Sequence, residues 1–312
     1  MNTSNAPKVD ARLSLAERLL MERILLPGYT HAPQALRMLR PFLVRMIWSV
    51  TPSLRRSLLR NAAVLIGESA STKEKRNFAL DVLSEIQRFT DEMVQGARRR
   101  RDAKLPKVIC DGDVDGYFAR RNKGDGMVLA TAHMGSFEAS ASVLQDMEPC
   151  IHVLYARDPC PSMELIRSQL RKRFGVVEHA VDDGLETWTA LRDALGDNEI
   201  VALPADRVQP GQVGFEIDLL GQKTHLPAGP FKLAMTTGAP LAPIFCWRDQ
   251  DGTYRLTVDT PIEFEGSFTR DLAEHPGIRA FVQSFEQLLR RCPTQWMMVH
   301  EAWPQNAMRV AS

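Results

Sequence analysis

No run of apolar residues in this 312-residue chain is long enough to cross a bilayer as a helix, which takes about 18 in succession. The nearest stretch, Leu36 to Val50, is cut by Arg40, Pro41 and Arg45. Cysteine is scarce: Cys110, Cys150, Cys160, Cys246 and Cys292 are odd in number, widely spaced and never in a C-x-x-C pair. That usage points to a reducing compartment and speaks against a disulfide framework or a zinc site. The first twenty residues interrupt their apolar positions with charges and lack the unbroken core of a secretory signal, so the protein is expected on the cytoplasmic side. Neither sign of charge dominates, the formal net charge being +1, and a nucleic-acid partner is not expected. Acidic residues are nevertheless missing altogether from Arg23 to Gly67, where Arg23, Arg37, Arg40, Arg45, Arg55, Arg56 and Arg60 lie among apolar positions. A block of one sign beside apolar residues fits an anionic surface, phospholipid headgroups as readily as nucleic acid.

What is present falls into two patterns. Residues 10–100 carry helical apolar periodicity, with breaks at Pro27-Gly28 and Thr51-Pro52 and no strand-like run. Within them Leu36, Leu39, Leu43, Met46, Ile47 and Val50 recur at three- and four-residue spacing beside Trp48. The spacing suits a helix in a membrane interface and equally a helix packed on the domain. The run Arg98 to Arg101 reads as a solvated helix end, favoured by the helix dipole. From Lys107 onward, the short apolar runs MVLATA, HVLYA, VVEHA and IVALPA alternate with the helical patterns SFEASASVLQDM, PSMELIRSQLRKRF and LETWTALRDALG. LAPIFCWR and YRLTVDTPI form a late strand pair around Asp251-Gly252, and a helix over residues 270–291 closes the chain. The alternation predicts an α/β fold: a mainly parallel, twisted sheet flanked by helices, with a helical N-terminal region. The expected division is residues 1–104 for the helical region and 105–312 for the α/β part.

The strand MVLATA runs directly into His133-Met134-Gly135-Ser136-Phe137-Glu138 and then into a helix. Ligands of open α/β sheets bind at the carboxyl ends of strands, which places His133 where chemistry is expected. Gly135 allows a tight turn, and Ser136 suits an N-cap better than a nucleophile. Glu138 falls in the first helical turn, where the dipole favours its ionised form and a carboxylate can hold an imidazole in one tautomer. Spacing alone settles little: seven histidines and 38 acids in 312 residues supply about one His-x4-acid match by chance. A structural histidine and a catalytic one both remain open on this pattern.

LATAHMGSFE resembles the first motif of the bacterial lipid A biosynthesis acyltransferases, part of the wider lysophospholipid acyltransferase superfamily. Further segments follow in the family's order. LYARDPCP, with Arg157, resembles its second motif, and IVALPADRVQPG, with Asp206, resembles its strand ending in an acid before a loop. LLGQKTHLPAGPFKLAMTTGAPLAPIF resembles a further pair of blocks, with Leu220-Gly221, Pro227, Gly229-Pro230, Gly238 and Pro243 in place. QWMMVHEAW resembles the closing segment. The chain departs from the family in two respects. Members acting on lipid A precursors usually begin with a membrane-embedded helix, for which this chain offers only Leu36 to Val50. After Asp206 it reads Arg207-Val208, where relatives often place a second acid.

The resemblance implies transfer of a fatty-acyl chain from an acyl carrier protein thioester, or acyl-CoA, to a hydroxyl of a glycolipid or lipid A-like acceptor. It implies no metal and no organic cofactor. His133 is the general base and Glu138 its orienting acid; Arg157, Asp206 and Gly229 line the substrate site. The expected place is the cytoplasmic face of a bacterial inner membrane, held peripherally on an anionic surface. Alternative acceptors are a lysophospholipid, an aminolipid or a specialised polyene lipid, although Glu138 and the lack of an E-G-T motif speak against a glycerophospholipid enzyme. A non-catalytic membrane or carrier-binding protein is the alternative of another class. His152, His179 and His225 read as structural or surface histidines.

Overall fold

The computed structural model describes residues 19–99, 107–209, 212–264 and 272–304, with the side chains of Phe137 and Glu138 outside that description. Residues 10–18 of the expected helical region, and Arg100 and Arg101 of the basic run, also fall outside it. The N-terminal part is helical as the periodicity predicts. A π-helical turn over Met21–Leu25 leads into α1 (Leu26–His31), α2 (Pro33–Val50), α3 (Pro52–Leu65) and α4 (Thr72–Arg98). The chain does break at Thr51, but Pro27-Gly28 lies inside α1 and the break falls at Ala32 instead. Proline in a first helical turn removes an N–H that has no partner there, so it opens α1 rather than ending it. Gly28 is needed for a different reason: a Cβ there would sit 2.6 Å from Leu36 Cδ1, where α1 and α2 meet. The longest helix, α4, starts on a capping box. Ser71 Oγ accepts from the Glu74 amide, and the Glu74 carboxylate accepts from the Ser71 amide.

The rest is built on strands β1 (Val108–Gly112), β2 (Met127–Thr131), β3 (Ile151–Tyr155), β4 (Val177–Ala180), β5 (Ile200–Pro204), β6 (Gly214–Leu219), β7 (Gln222–Pro227), β8 (Leu241–Arg248) and β9 (Tyr254–Val258). Helices α5 (Val114–Arg121), α6 (Phe137–Met147), α7 (Pro161–Arg173), α8 (Leu185–Gly196), α9 (Gly229–Thr237) and α10 (Pro276–Arg291) lie between and after them. Seven strands form one sheet in the order β1-β9-β8-β2-β5-β3-β4, parallel at every pairing except β8 with β9. The alternation of side chains along β2 feeds both faces. Val128 and Ala130 join Leu203, Phe231, Phe281 and Phe285 on one side, while Met127 and Leu129 join Tyr117, Ala139, Leu144 and Val153 on the other. Helices on both faces bury the central strands completely, which is why they read as continuous apolar runs.

Two strand features did not stand out in the sequence: β1, and the antiparallel hairpin β6–β7 that forms its own two-stranded sheet. The N-terminal helices are not separate from the sheet. Leu25, Tyr29, Leu36, Leu43, Met93 and Val94 share a core with Ala141, Cys160, Met163 and Leu170 of the α/β part.

The predicted apolar stripe of α2 largely faces that core, with Leu36 and Leu43 buried and Met46 and Ile47 packed against it. A second stripe faces outward. Met38, Leu39 and Phe42 are 83%, 51% and 66% exposed, one helical turn from the exposed Arg45. No helix among the described residues is long and apolar enough to cross a membrane.

Candidate active site

The parallel order puts the ends of β2 and β5 side by side, with Ala205 N donating to Thr131 O at 2.8 Å. His133 leaves β2 and Asp206 leaves β5, so neighbours in the sheet become neighbours in the site. Asp206 Oδ1 lies 2.7 Å from His133 Nδ1, and its Oδ2 accepts from the His133 amide at 3.1 Å. Oδ2 also accepts from Trp296 Nε1 at 2.9 Å. Trp296 belongs to the segment after α10 and stands edge-on to Phe285 and Trp303 in the core. The same segment is laced to the turn: Met297 N donates to His133 O at 2.9 Å, and Met134 bridges Trp296 in antiparallel fashion.

The Asp206 side chain is fully enclosed, whereas 29% of the His133 side chain reaches solvent. Burial alone would raise the Asp206 pKa. His133, the Arg207 guanidinium and the Trp296 N–H reverse that and hold it well below the usual carboxylate range. An ionised Asp206 takes the Nδ1 proton of His133 as its hydrogen-bond donor, leaving Nε2 as a lone-pair acceptor. Burial, and then the Arg207 guanidinium, lower the pKa of His133 against the upward pull of Asp206, so the ring is neutral at pH 7. Such an arrangement can serve as a base with an orienting acid: one nitrogen fixed, the other able to take a proton.

The turn between His133 and α6 has little freedom. Gly135 has φ +55°, and a Cβ on it would lie 2.4 Å from the backbone oxygen of Cys246 in β8. Ser136 is buried and caps α6, its Oγ accepting from the Ala139 amide at 3.2 Å, as its position predicts. Two further cations act on His133, Arg207 from the next position after Asp206 and Arg167 from α7. The buried Nε atoms of both lack a hydrogen-bond partner among the described residues. His300 lies near the same charge: burial and Arg207 lower its pKa.

Over residues 30–305 the chain matches the family of bacterial lipid A biosynthesis acyltransferases. The chain belongs to that family. Two similar curated proteins are the phosphatidylinositol mannoside acyltransferases of Mycolicibacterium smegmatis and Mycobacterium tuberculosis H37Rv. The first is 27% identical over 202 residues, 61% of this chain and 61% of the relative. The second is 26% identical over 206 residues, 66% of this chain and 62% of the relative. The chain thus spans about three-fifths of the length of the curated relatives it matches.

Within this family frame the expected site residues fall in different places. His133 sits at the sheet's carboxyl edge, and Asp206, expected in the substrate site, hydrogen-bonds it with a carboxylate closed off from solvent. The hydrogen bond to His133 Nδ1 is made by Asp206; Glu138 lies in the first turn of α6, its side chain outside the described residues. Arg157, after β3, is exposed and held by Asp182 at 2.5 Å and Asp183 at 2.8 Å. Gly229 opens α9 against Trp188, whose ring lies 2.4 Å from where its Cβ would stand. Sequence reasoning missed Trp296 as a member of the site, although QWMMVHEAW contained it, and passed over Arg167 and Arg207.

Proposed function

We propose that this protein is an O-acyltransferase that moves a fatty-acyl chain from a thioester, on acyl carrier protein or CoA, to a hydroxyl of a glycolipid. The observation that carries this reading is the His133 ring held through Nδ1 by the buried Asp206, in a side chain that itself reaches solvent. His133 Nε2 takes the proton of the acceptor hydroxyl as its oxygen attacks the thioester carbonyl. A C–O bond forms and the carbonyl oxygen becomes an oxyanion. The oxyanion collapses, the C–S bond breaks, and the imidazolium returns its proton to the departing thiolate. Asp206 stabilises the imidazolium between the two steps. Arg207 and Arg167 supply positive potential for the oxyanion or for a phosphate of donor or acceptor, which would also satisfy their buried Nε donors.

Lipid A-type and mannosylated acceptors both fit a family named for lipid A biosynthesis, and the names of the two mycobacterial relatives favour a phosphorylated glycolipid. The outward Met38, Leu39 and Phe42 beside Arg45 suit peripheral attachment to an anionic membrane, at the cytoplasmic face of a bacterial inner membrane. The test is transfer of a labelled acyl chain from loaded acyl carrier protein, or from acyl-CoA, to total bacterial lipid. Wild type is expected to produce a labelled glycolipid whose mass names the acceptor. His133→Ala is expected to lose transfer by about 100- to 10,000-fold; equal labelling by both would overturn the reading.

A further inference from the structure

At the other end of the parallel strands, Cys150, His152, His179 and Glu199 come together. Cys150 directly precedes β3 and Glu199 directly precedes β5; the pairing of Ile151 with Ile200 sets these two residues opposite each other. His152 is the second residue of β3, and His179 stands on the neighbouring β4. His152 Nε2 lies 3.5 Å from Cys150 Sγ and 2.6 Å from Glu199 Oε2, and the three donor atoms all fall within 4.8 Å of one another. His152 is buried, while Cys150 and Glu199 are partly open to solvent.

We propose that Cys150, His152 and Glu199 bind a divalent transition metal ion of the zinc class, with water completing the coordination and His179 holding His152 in place. The donor set decides the class: one sulfur, one imidazole and one carboxylate suit zinc and not the oxygen-seeking magnesium or calcium. The spacing is close to what the ion requires. Around a tetrahedral zinc, bond lengths near 2.05 Å to N and O and 2.3 Å to S put N and S about 3.5 Å apart and N and O about 3.3 Å apart. The first separation is already present, and the second needs the part-exposed Glu199 carboxylate to swing outward by less than about 1 Å. His152 Nδ1 lies 2.8 Å from His179 Nε2, with the two ring planes within 17° of each other. When Nδ1–H donates to His179, Nε2 is left as the ligand nitrogen, the outer-group arrangement that fixes metal-bound imidazoles. His152 stands on a strand and Cys150 and Glu199 immediately precede two paired strands, so the donors are positioned before the ion arrives.

The ion binds the thiolate, so it displaces the proton of the Cys150 thiol and binding tightens as pH rises. The site and His133 lie at opposite ends of five-residue strands, about 16 Å of extended chain. The ion therefore takes no part in acyl transfer. It ties β3 to β5, and β5 leads into Asp206 at its other end.

The full-length protein, stripped with chelator and kept reduced, is titrated with Co(II) and then with Zn(II) as competitor. Wild type is expected to bind one equivalent, to show a thiolate-to-cobalt charge-transfer band and to melt at a higher temperature with zinc. Cys150→Ser is expected to lose the band, Glu199→Gln to bind more weakly and gain no thermal shift, and His179→Ala to weaken binding about tenfold. Far-UV circular dichroism checks that each variant is folded, and two part-exposed ligands are tested separately so that a folding defect in one does not decide the matter. A wild type without the band, or a band that persists in Cys150→Ser, would overturn the proposal.

Discussion

The candidate site is built around a carboxylate closed off from solvent. Asp206 accepts two hydrogen bonds from His133 and one from Trp296, and a carboxylate so satisfied stays ionised even when buried. Its neighbour Arg207 acts oppositely on the histidine, lowering its pKa by unfavourable charge. A base must be neutral to act, so activity falls as pH drops through the pKa of His133. Because that pKa is lowered, the rate should hold its plateau to below pH 6.5, the ordinary histidine value. Replacing Arg207 with Met removes the repulsion, and the acidic limb of kcat/KM is expected to move to higher pH. An unmoved limb would mean that Arg207 does not act on the base. His133 itself was legible from the sequence, because a buried strand ran straight into it. Its partner was not: 73 residues separate Asp206 from His133, and only the pairing of β2 with β5 brings them together. The nearer acid, Glu138, drew the expectation through its place in the first helical turn after His133 and through the family resemblance.

At the scale of elements, the segment that carries Trp296 is held by a helix from the other end of the chain. Asn61 on α3 is buried; its Nδ2 donates to Met298 O and His300 O, and its Oδ1 accepts from Ala302 N. Leucine has the same branched arrangement of side-chain heavy atoms and none of these bonds. Asn61→Leu is expected to destabilise the fold by about 2–3 kcal/mol in urea unfolding, since it strands buried backbone groups, and to lower kcat through Trp296. Stability within a few tenths of a kcal/mol of wild type would contradict this. The strands β2, β3 and β5 were legible because burial on both faces makes them continuous apolar runs. The hairpin β6–β7 was not, because GFEIDL and QKTHLP are half polar and its two-residue turn is Leu220-Gly221. Both turn residues have positive φ, 54° and 76°, a conformation usually signalled by Asn or Gly at the first place and costly for leucine. Strand β1 hid for a simpler reason: VICDG is short, and its Asp and Gly read as a loop.

For the molecule as a whole, the sheet and its helical covering present the base at one edge, and α2 presents Met38, Leu39 and Phe42 to solvent. The periodicity of α2 was legible, but its predicted stripe is spent largely on the core; the outward stripe became visible only once the packing of Leu36 and Leu43 was known. Burying Phe and Met side chains in a membrane interface is worth about 1.5–3 kcal/mol each when complete. The double variant Met38→Ser, Phe42→Ser is therefore expected to lower cosedimentation with anionic vesicles about tenfold or more, with unfolding unchanged because both sites are exposed. Unaltered sedimentation would reject attachment through this face. The central claim, that a buried acid 73 residues away orients the base, is tested most directly by the acyl-transfer rate of Asp206→Asn beside that of Glu138→Gln. The account predicts that folded Asp206→Asn loses about 100- to 10,000-fold in kcat, the cost of a histidine held in the wrong tautomer. A wild-type rate in Asp206→Asn, with the loss appearing in Glu138→Gln alone, would contradict it.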